Sequence, residues 1–158
     1  MFREIVRKKQ ALSPEDCVAI LQREKRGVLA VLGDEDYPYA VPLNHYYCPE
    51  DGRIYFHSGK LGHKIDAIRR CDKVSFCVMD QGVRPEGAWH LDIRSVIVFG
   101  RIEIVEDEET VVRMARELSR KFTDDEAYIQ QEIDRHLHRT LLFALAPEQI
   151  TGKRVKEE

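Results

Sequence analysis

Gly52-Arg53-Ile54-Tyr55-Phe56-His57-Ser58-Gly59-Lys60-Leu61-Gly62-His63-Lys64 decides the reading of this chain. It leaves a turn, runs through a strand-like apolar stretch and enters a polar bend. A short helix over 65–70 follows the bend. Gly59 and Gly62 let the backbone approach a ligand closely. Ser58 supplies a hydroxyl. His63 and Lys64 stand at a first helical turn, where free N–H groups favour an anion. These are the parts of a phosphate cradle. Spacing alone leaves the stretch open between that role and an ordinary strand-to-helix turn with solvated lysines. It is not a Walker A loop, because Gly-x-x-x-x-Gly-Lys-Ser/Thr is absent.

Working outward, the flanks read as short strands joined by polar turns. Residues 27–32 form an apolar run of strand length. Gly33-Asp34-Glu35-Asp36 is a turn, and 39–47 is aromatic and β-branched. Pro42 lies inside that second segment. It cannot donate to a ladder, so it marks an edge, a bulge or a break. The third strand is 53–58, and 73–79 is the fourth. Residues 93–105 read as one long curved strand that bends at Gly100, with Val96, Val98 and Phe99 toward the core and Ser95 on the other face. Residues 140–145 close the set. Helices are expected at 13–26, with Ser13 as N-cap, Pro14 at the first helical position and Gly27 as the stop. Two more are expected at 107–121, where Val111, Met114, Ala115 and Leu118 share a face, and at 125–135. Residues 147–158 read as an irregular tail. The expectation is one domain, mainly β with peripheral helices (α+β). Six antiparallel strands, adjacent in chain order, form a small barrel.

The 158 residues carry 25 Lys+Arg against 28 Asp+Glu, a net charge of −3. That balance argues against a nucleic-acid partner reached through a broad basic face. No apolar run has the ~20 residues of a membrane helix, and the start lacks a signal peptide. The expected location is cytoplasmic, with no membrane partner. Cys17, Cys48, Cys71 and Cys77 are far apart and read as free thiols, several of them buried. No Cys/His spacing fits a metal site. His136 and His138 read as surface residues, and Trp89 as a hydrophobic plug or a ligand cover. No acid/base pair and no nucleophile elbow stands out.

Four segments in order then carry a resemblance: Val41-Pro42-Leu43-Asn44; Tyr55-Phe56-His57-Ser58 with Gly62-His63-Lys64; Ser95-Val96-Ile97-Val98-Phe99-Gly100; and Ile150-Thr151-Gly152-Lys153. They resemble the pyridoxamine 5′-phosphate oxidase-related flavoproteins, and most of all their nitroimidazole-resistance (Nim) branch. The resemblance covers about residue 5 to residue 153. It implies an FMN-binding split β-barrel. Val41, Pro42, Leu43 and Asn44 would meet the isoalloxazine through their backbone. His57, Ser58, His63 and Lys64 would hold the ribityl chain and phosphate, with His57 next to flavin or substrate. Ser95 would reach the flavin from a partner subunit. It also implies a homodimer with FMN at the interface and a nitroaromatic or quinone-like acceptor, with NAD(P)H as a possible donor. The tail departs from the oxidases in lacking their tryptophan, so oxidation of pyridoxamine 5′-phosphate itself is not implied. Two roles stay open: an FMN-dependent oxidoreductase, or a protein that holds flavin, or haem through His57 or His45, without turnover of its own.

Overall fold

The computed structural model describes residues 1–157. One antiparallel sheet contains every strand. In chain order the elements are α1 (Pro14–Arg23), β1 (Arg26–Leu32), β2 (Pro38–Asn44), β3 (Tyr46–Tyr47), β4 (Ile54–Gly59), α2 (His63–Arg70), β5 (Lys73–Met79), β6 (Leu91–Val105), α3 (Glu108–Arg120), α4 (Glu126–His136) and β7 (Thr140–Glu157). Among the described residues, no helix is long and apolar enough to cross a membrane.

The strand order is β2-β1-β5-β6-β7-β4-β3. The described residues form seven strands, not the six expected, because the second segment divides at His45 into β2 and β3. Nor are all the strands adjacent in sequence order. β4 pairs with β7 as well as with β3. Since β2 and β3 lie at opposite edges yet are joined by His45 alone, the sheet must curl until its edges nearly meet. The result is a half-barrel. Pro42 sits on edge strand β2 and keeps register opposite Val28. The break therefore falls three residues later than the proline.

The barrel interior holds Leu29, Phe56, Phe76, Val96, Val98 and Phe143, all fully buried. Phe76 packs edge-on against Phe56, with ring centroids 4.9 Å apart, and Phe56 stacks on Phe143 at 5.4 Å. A second cluster lies outside the sheet, where Met114 and Leu118 of α3 cover Tyr55, Leu142 and Ala144. Central strands buried on both faces explain the unbroken apolar runs at 54–56 and 141–145. Asp107 caps α3 by accepting from the Thr110 N–H at 2.9 Å, and Asp125 caps α4 through Tyr128 at 3.0 Å.

Three expectations are corrected. Helix α1 stops at Arg23, because Glu24 is already extended. Gly27 instead sits in β1, where a Cβ would collide with the Phe76 ring and lie 2.7 Å from the Cys77 carbonyl oxygen. The tail is no irregular segment: β7 continues to Glu157, paired with β6 throughout. Phe99 is 39% exposed, because strand alternation puts it with Ser95 on the face opposite Val96 and Val98.

The long β6–β7 ladder bends at a bulge. Phe99 opposes Gln149 and Gly100 opposes Pro147, leaving Glu148 unmatched. A Cβ on Gly100 would collide with the Ala146 carbonyl oxygen and lie 2.9 Å from Leu145 Cδ1. Gly100→Val is expected to cost about 2–4 kcal/mol by overpacking this bend. Urea denaturation of the two proteins measures it; equal midpoints would refute the bend's steric origin.

Candidate functional site

The end of β4 is where most of the expected residues gather. His57 and Ser58 are neighbours in sequence, so they leave β4 on opposite faces. Ser58 shares the interior parity of Phe56 and opens toward the bend before α2. Its hydroxyl donates to the Gly59 carbonyl at 2.8 Å. Gly62 caps α2 with φ 132°, a backbone conformation that only glycine adopts freely. A Cβ at Gly59 or Gly62 would meet nothing within 4 Å. Among the described residues, no hydrogen bond engages the backbone N–H of Gly62, His63 or Lys64. Lys64 is half-buried and without an ion-pair partner among the described residues. The bend therefore presents open space, unpaired N–H donors, a hydroxyl and a lysine. That donor set fits a phosphate monoester.

His63 plays a second part. Its Nε2 accepts the Asp34 backbone N–H at 3.1 Å, and its ring stacks on Tyr39 with centroids 4.2 Å apart. Arg70 pairs with Asp34 at 3.0 Å. These contacts fasten the β1–β2 turn to the start of α2. Only Nδ1 and the backbone N–H of His63 are left to face an anion.

His57 takes the other face. With Asn44 at the end of β2, it lines a cavity of about 410 Å³ roofed by α3 and α4. Partial desolvation by these walls lowers the His57 pKa and favours the neutral imidazole, although the residue keeps an exposed face. Leu118, Phe122, Ile129, Ile133 and Leu137 form most of the roof. His136, expected at the surface, also lines the cavity. It is held by Glu132 at 3.3 Å and by Arg139. Its spacing from Glu132 and from Ile129 and Ile133 was a readable helical signal. His138 is exposed as expected. Trp89 is 72% exposed, so it plugs nothing in this chain.

Ser95 is not brought to these residues. It pairs with Met79 and Lys153 on the outer sheet face, beyond the core. Val41 and Leu43 pack against the barrel core, while the far side of β2 has no neighbouring strand.

His45, the joint between β2 and β3, is completely buried. Its Nε2–H donates to the Leu21 carbonyl at 2.8 Å, and its Nδ1 has no partner. It is closed to haem iron. Burial, with the nearby Lys121 ammonium, lowers its pKa to about 3. Lys121, just after α3, donates to the Glu24 carbonyl at 2.6 Å and the His45 carbonyl at 2.7 Å. Burial lowers its own pKa to about 8.

A curled antiparallel half-barrel with an anion-ready strand end and a helix-roofed cavity defines a small-molecule-binding barrel. The chain belongs to the pyridoxamine 5′-phosphate oxidase family, whose model matches residues 13–154. Three solved structures are similar. One is described as a candidate 5-nitroimidazole antibiotic resistance protein from Bacteroides thetaiotaomicron. It is 21% identical over 93% of this chain and 87% of its own, with TM-score 0.76. An FAD-binding protein from Mesorhizobium loti is 26% identical over 92% and 97%, with TM-score 0.65. A flavocytochrome from Azotobacter vinelandii is 18% identical over 95% and 72%, with TM-score 0.77. No curated protein matches the sequence significantly.

The buried joint generates a pH dependence. The folded pKa of His45 is about 3 against an ordinary value of 6.5, so the unfolded chain binds the extra proton first. His45's share of the stability is complete above pH 6.5 and is lost as pH falls toward 3. The slope reaches about 1.4 kcal/mol per pH unit. His45→Gln is expected to flatten that acid limb in urea titrations at stepped pH. An unchanged limb would show that His45 is not its source.

Proposed function

We propose that this protein is an FMN-binding flavoprotein that acts as an oxidoreductase on a small acceptor of the nitroimidazole or nitroaromatic kind. The observation that carries this reading is the bend after β4. Its unobstructed glycines, unpaired N–H groups and unpartnered Lys64 have the chemistry to hold a doubly charged phosphate ester. The similarity to an FAD-binding protein and to a flavocytochrome supports a flavin in particular. The similarity to the candidate nitroimidazole-resistance protein supports the acceptor class.

A bound flavin supplies reversible two-electron chemistry. The chain's part is to anchor, orient and shield. Lys64, Ser58 and the α2 N-terminus neutralise the phosphate. The free edge of β2 offers the Asn44 backbone and the Pro42 carbonyl to a flat polar ring, while Val41 and Leu43 turn their backbone groups into the ladder with β1. The neutral His57 imidazole faces the space where an acceptor would sit. Purified protein should be yellow, absorbing at about 450 nm, and the mass of the released ligand distinguishes FMN from FAD. Ser58→Ala with Lys64→Ala should weaken FMN binding by ~10²-fold, since charge-assisted bonds contribute about 1.5–3 kcal/mol each. Unchanged affinity would place the phosphate elsewhere. Oxidation of NAD(P)H with nitroaromatic acceptors separates an enzyme from a flavin carrier without turnover.

We further propose a homodimer through the outer sheet face, with the flavin at the interface. Val28, Cys77, Ile97 and Thr151 form one cross-strand row on that face, next to Ala30, Ser75, Phe99 and Gln149. Ile97 is 42% and Val28 37% exposed, an apolar surface of the kind that partners cover. Ser95 lies at its margin, where only a partner subunit could bring it to a flavin. Ile97→Lys is expected to shift the protein from dimer to monomer in sedimentation velocity and to release bound FMN. A dimer that survives this charge at unchanged concentration would exclude the face.

A further inference from the structure

The cavity beside His57 has a chemistry of its own. Its volume of about 410 Å³ is at the small end of the ~300–1,000 Å³ range of ligand pockets. One carboxylate lines it, that of Glu132; no lysine or arginine does. An anion placed there would find no lysine or arginine among the lining residues and would meet the Glu132 carboxylate. Most of the polar lining is already engaged. Asn44 Oδ1 accepts from Arg26 at 3.3 Å. Ser119 donates to the Ala115 carbonyl at 2.8 Å, and Thr140 to the His136 carbonyl at 2.8 Å. Thr123 Oγ1 accepts the Asp125 N–H at 3.2 Å. Glu132 and His136 hold each other. What remains for a ligand is the His57 ring, the Asn44 amide N–H groups and the Tyr128 hydroxyl. The pocket thus has an apolar body with its polar pole at the sheet.

We propose that this cavity binds an uncharged compound of one or two rings, its body against Leu118, Phe122 and Ile133 and its polar substituent toward His57 and Asn44. Rings bearing a phosphate are rejected. This sets the protein apart from the substrate for which its family is named. The phosphate-binding groups lie across β4 from this pocket, on the Ser58 side. That the pocket serves the acceptor rests on the flavin reading above; its preference for uncharged rings does not.

The test pairs nitrobenzene with 4-nitrophenyl phosphate, the same ring without and with the anion. Saturation-transfer NMR on the full protein, with FMN titrated separately by fluorescence, reads binding without requiring turnover. Nitrobenzene is expected to bind, with saturation passing from the Phe122 and Tyr128 rings, while 4-nitrophenyl phosphate does not. Ala115→Phe, which fills the cavity from α3, should weaken nitrobenzene by about tenfold or more and leave FMN affinity unchanged. Circular dichroism checks folding, and Ser119→Leu carries the measurement if Ala115→Phe does not fold. The proposal is overturned if nitrobenzene fails to bind or if the phosphate ester binds as well. It is equally overturned if both filling variants leave nitrobenzene unaffected, or if filling lowers FMN affinity, which would assign the cavity to the flavin. If FMN never binds but nitrobenzene does as described, the flavin reading fails and the pocket stands.

Discussion

Everything in this molecule turns on a single-residue joint. β2 and β3 occupy opposite edges of the sheet, and only His45 separates them. A flat sheet could not satisfy that connection, so curvature is imposed by chain length. Lys121, at the end of α3, then grips the carbonyl of the corner residue itself and that of Glu24, just before β1. The same contact that secures the curl also docks the helical roof. Burying an ammonium and an imidazole together is costly. The structure tolerates the imidazole by keeping it neutral and the ammonium by surrounding it with carbonyl oxygens.

The curl brings Asn44 and His57 to one cavity although they come from strands that do not pair. It also leaves the edge of β2 open. The bulge at Gly100 gives the β6–β7 ladder its bend, so that one pair of long strands serves both the outer face and the second core under α3. Barrel, roof and bend are consequences of a few close approaches rather than of separate domains.

Much of this was legible from residue order, and the gaps have physical causes. Strand alternation and capping signals located nearly every element: Ser13, Asp107 and Asp125 all cap the helices expected after them. The bend at 58–64 could be singled out because glycines beside a hydroxyl and a lysine are a local pattern. What escaped was non-local. Pairing of β4 with β7 depends on the long return of the chain, and the pairing of residues 147–157 depends on β6. His136 looked like a surface residue because its cavity exists only once α4 lies over β4. Gly27 looked like a helix stop because the Phe76 ring that requires it is remote in sequence. Phe99 faces outward because it shares the strand alternation of Ser95 and not that of Val96 and Val98.

The opposed directions of His57 and Ser58 have a wider implication. One strand acts as a partition wall with a different tenant on each side, and the rooms have separate furniture: α2 on one, α3 and α4 on the other. Descendants of this barrel could therefore exchange the helical room wholesale, altering what they recognise, while the glycine bend across the wall stays as it was. A deletion of one residue within β4 would do the opposite and turn both side chains toward the wrong room at once.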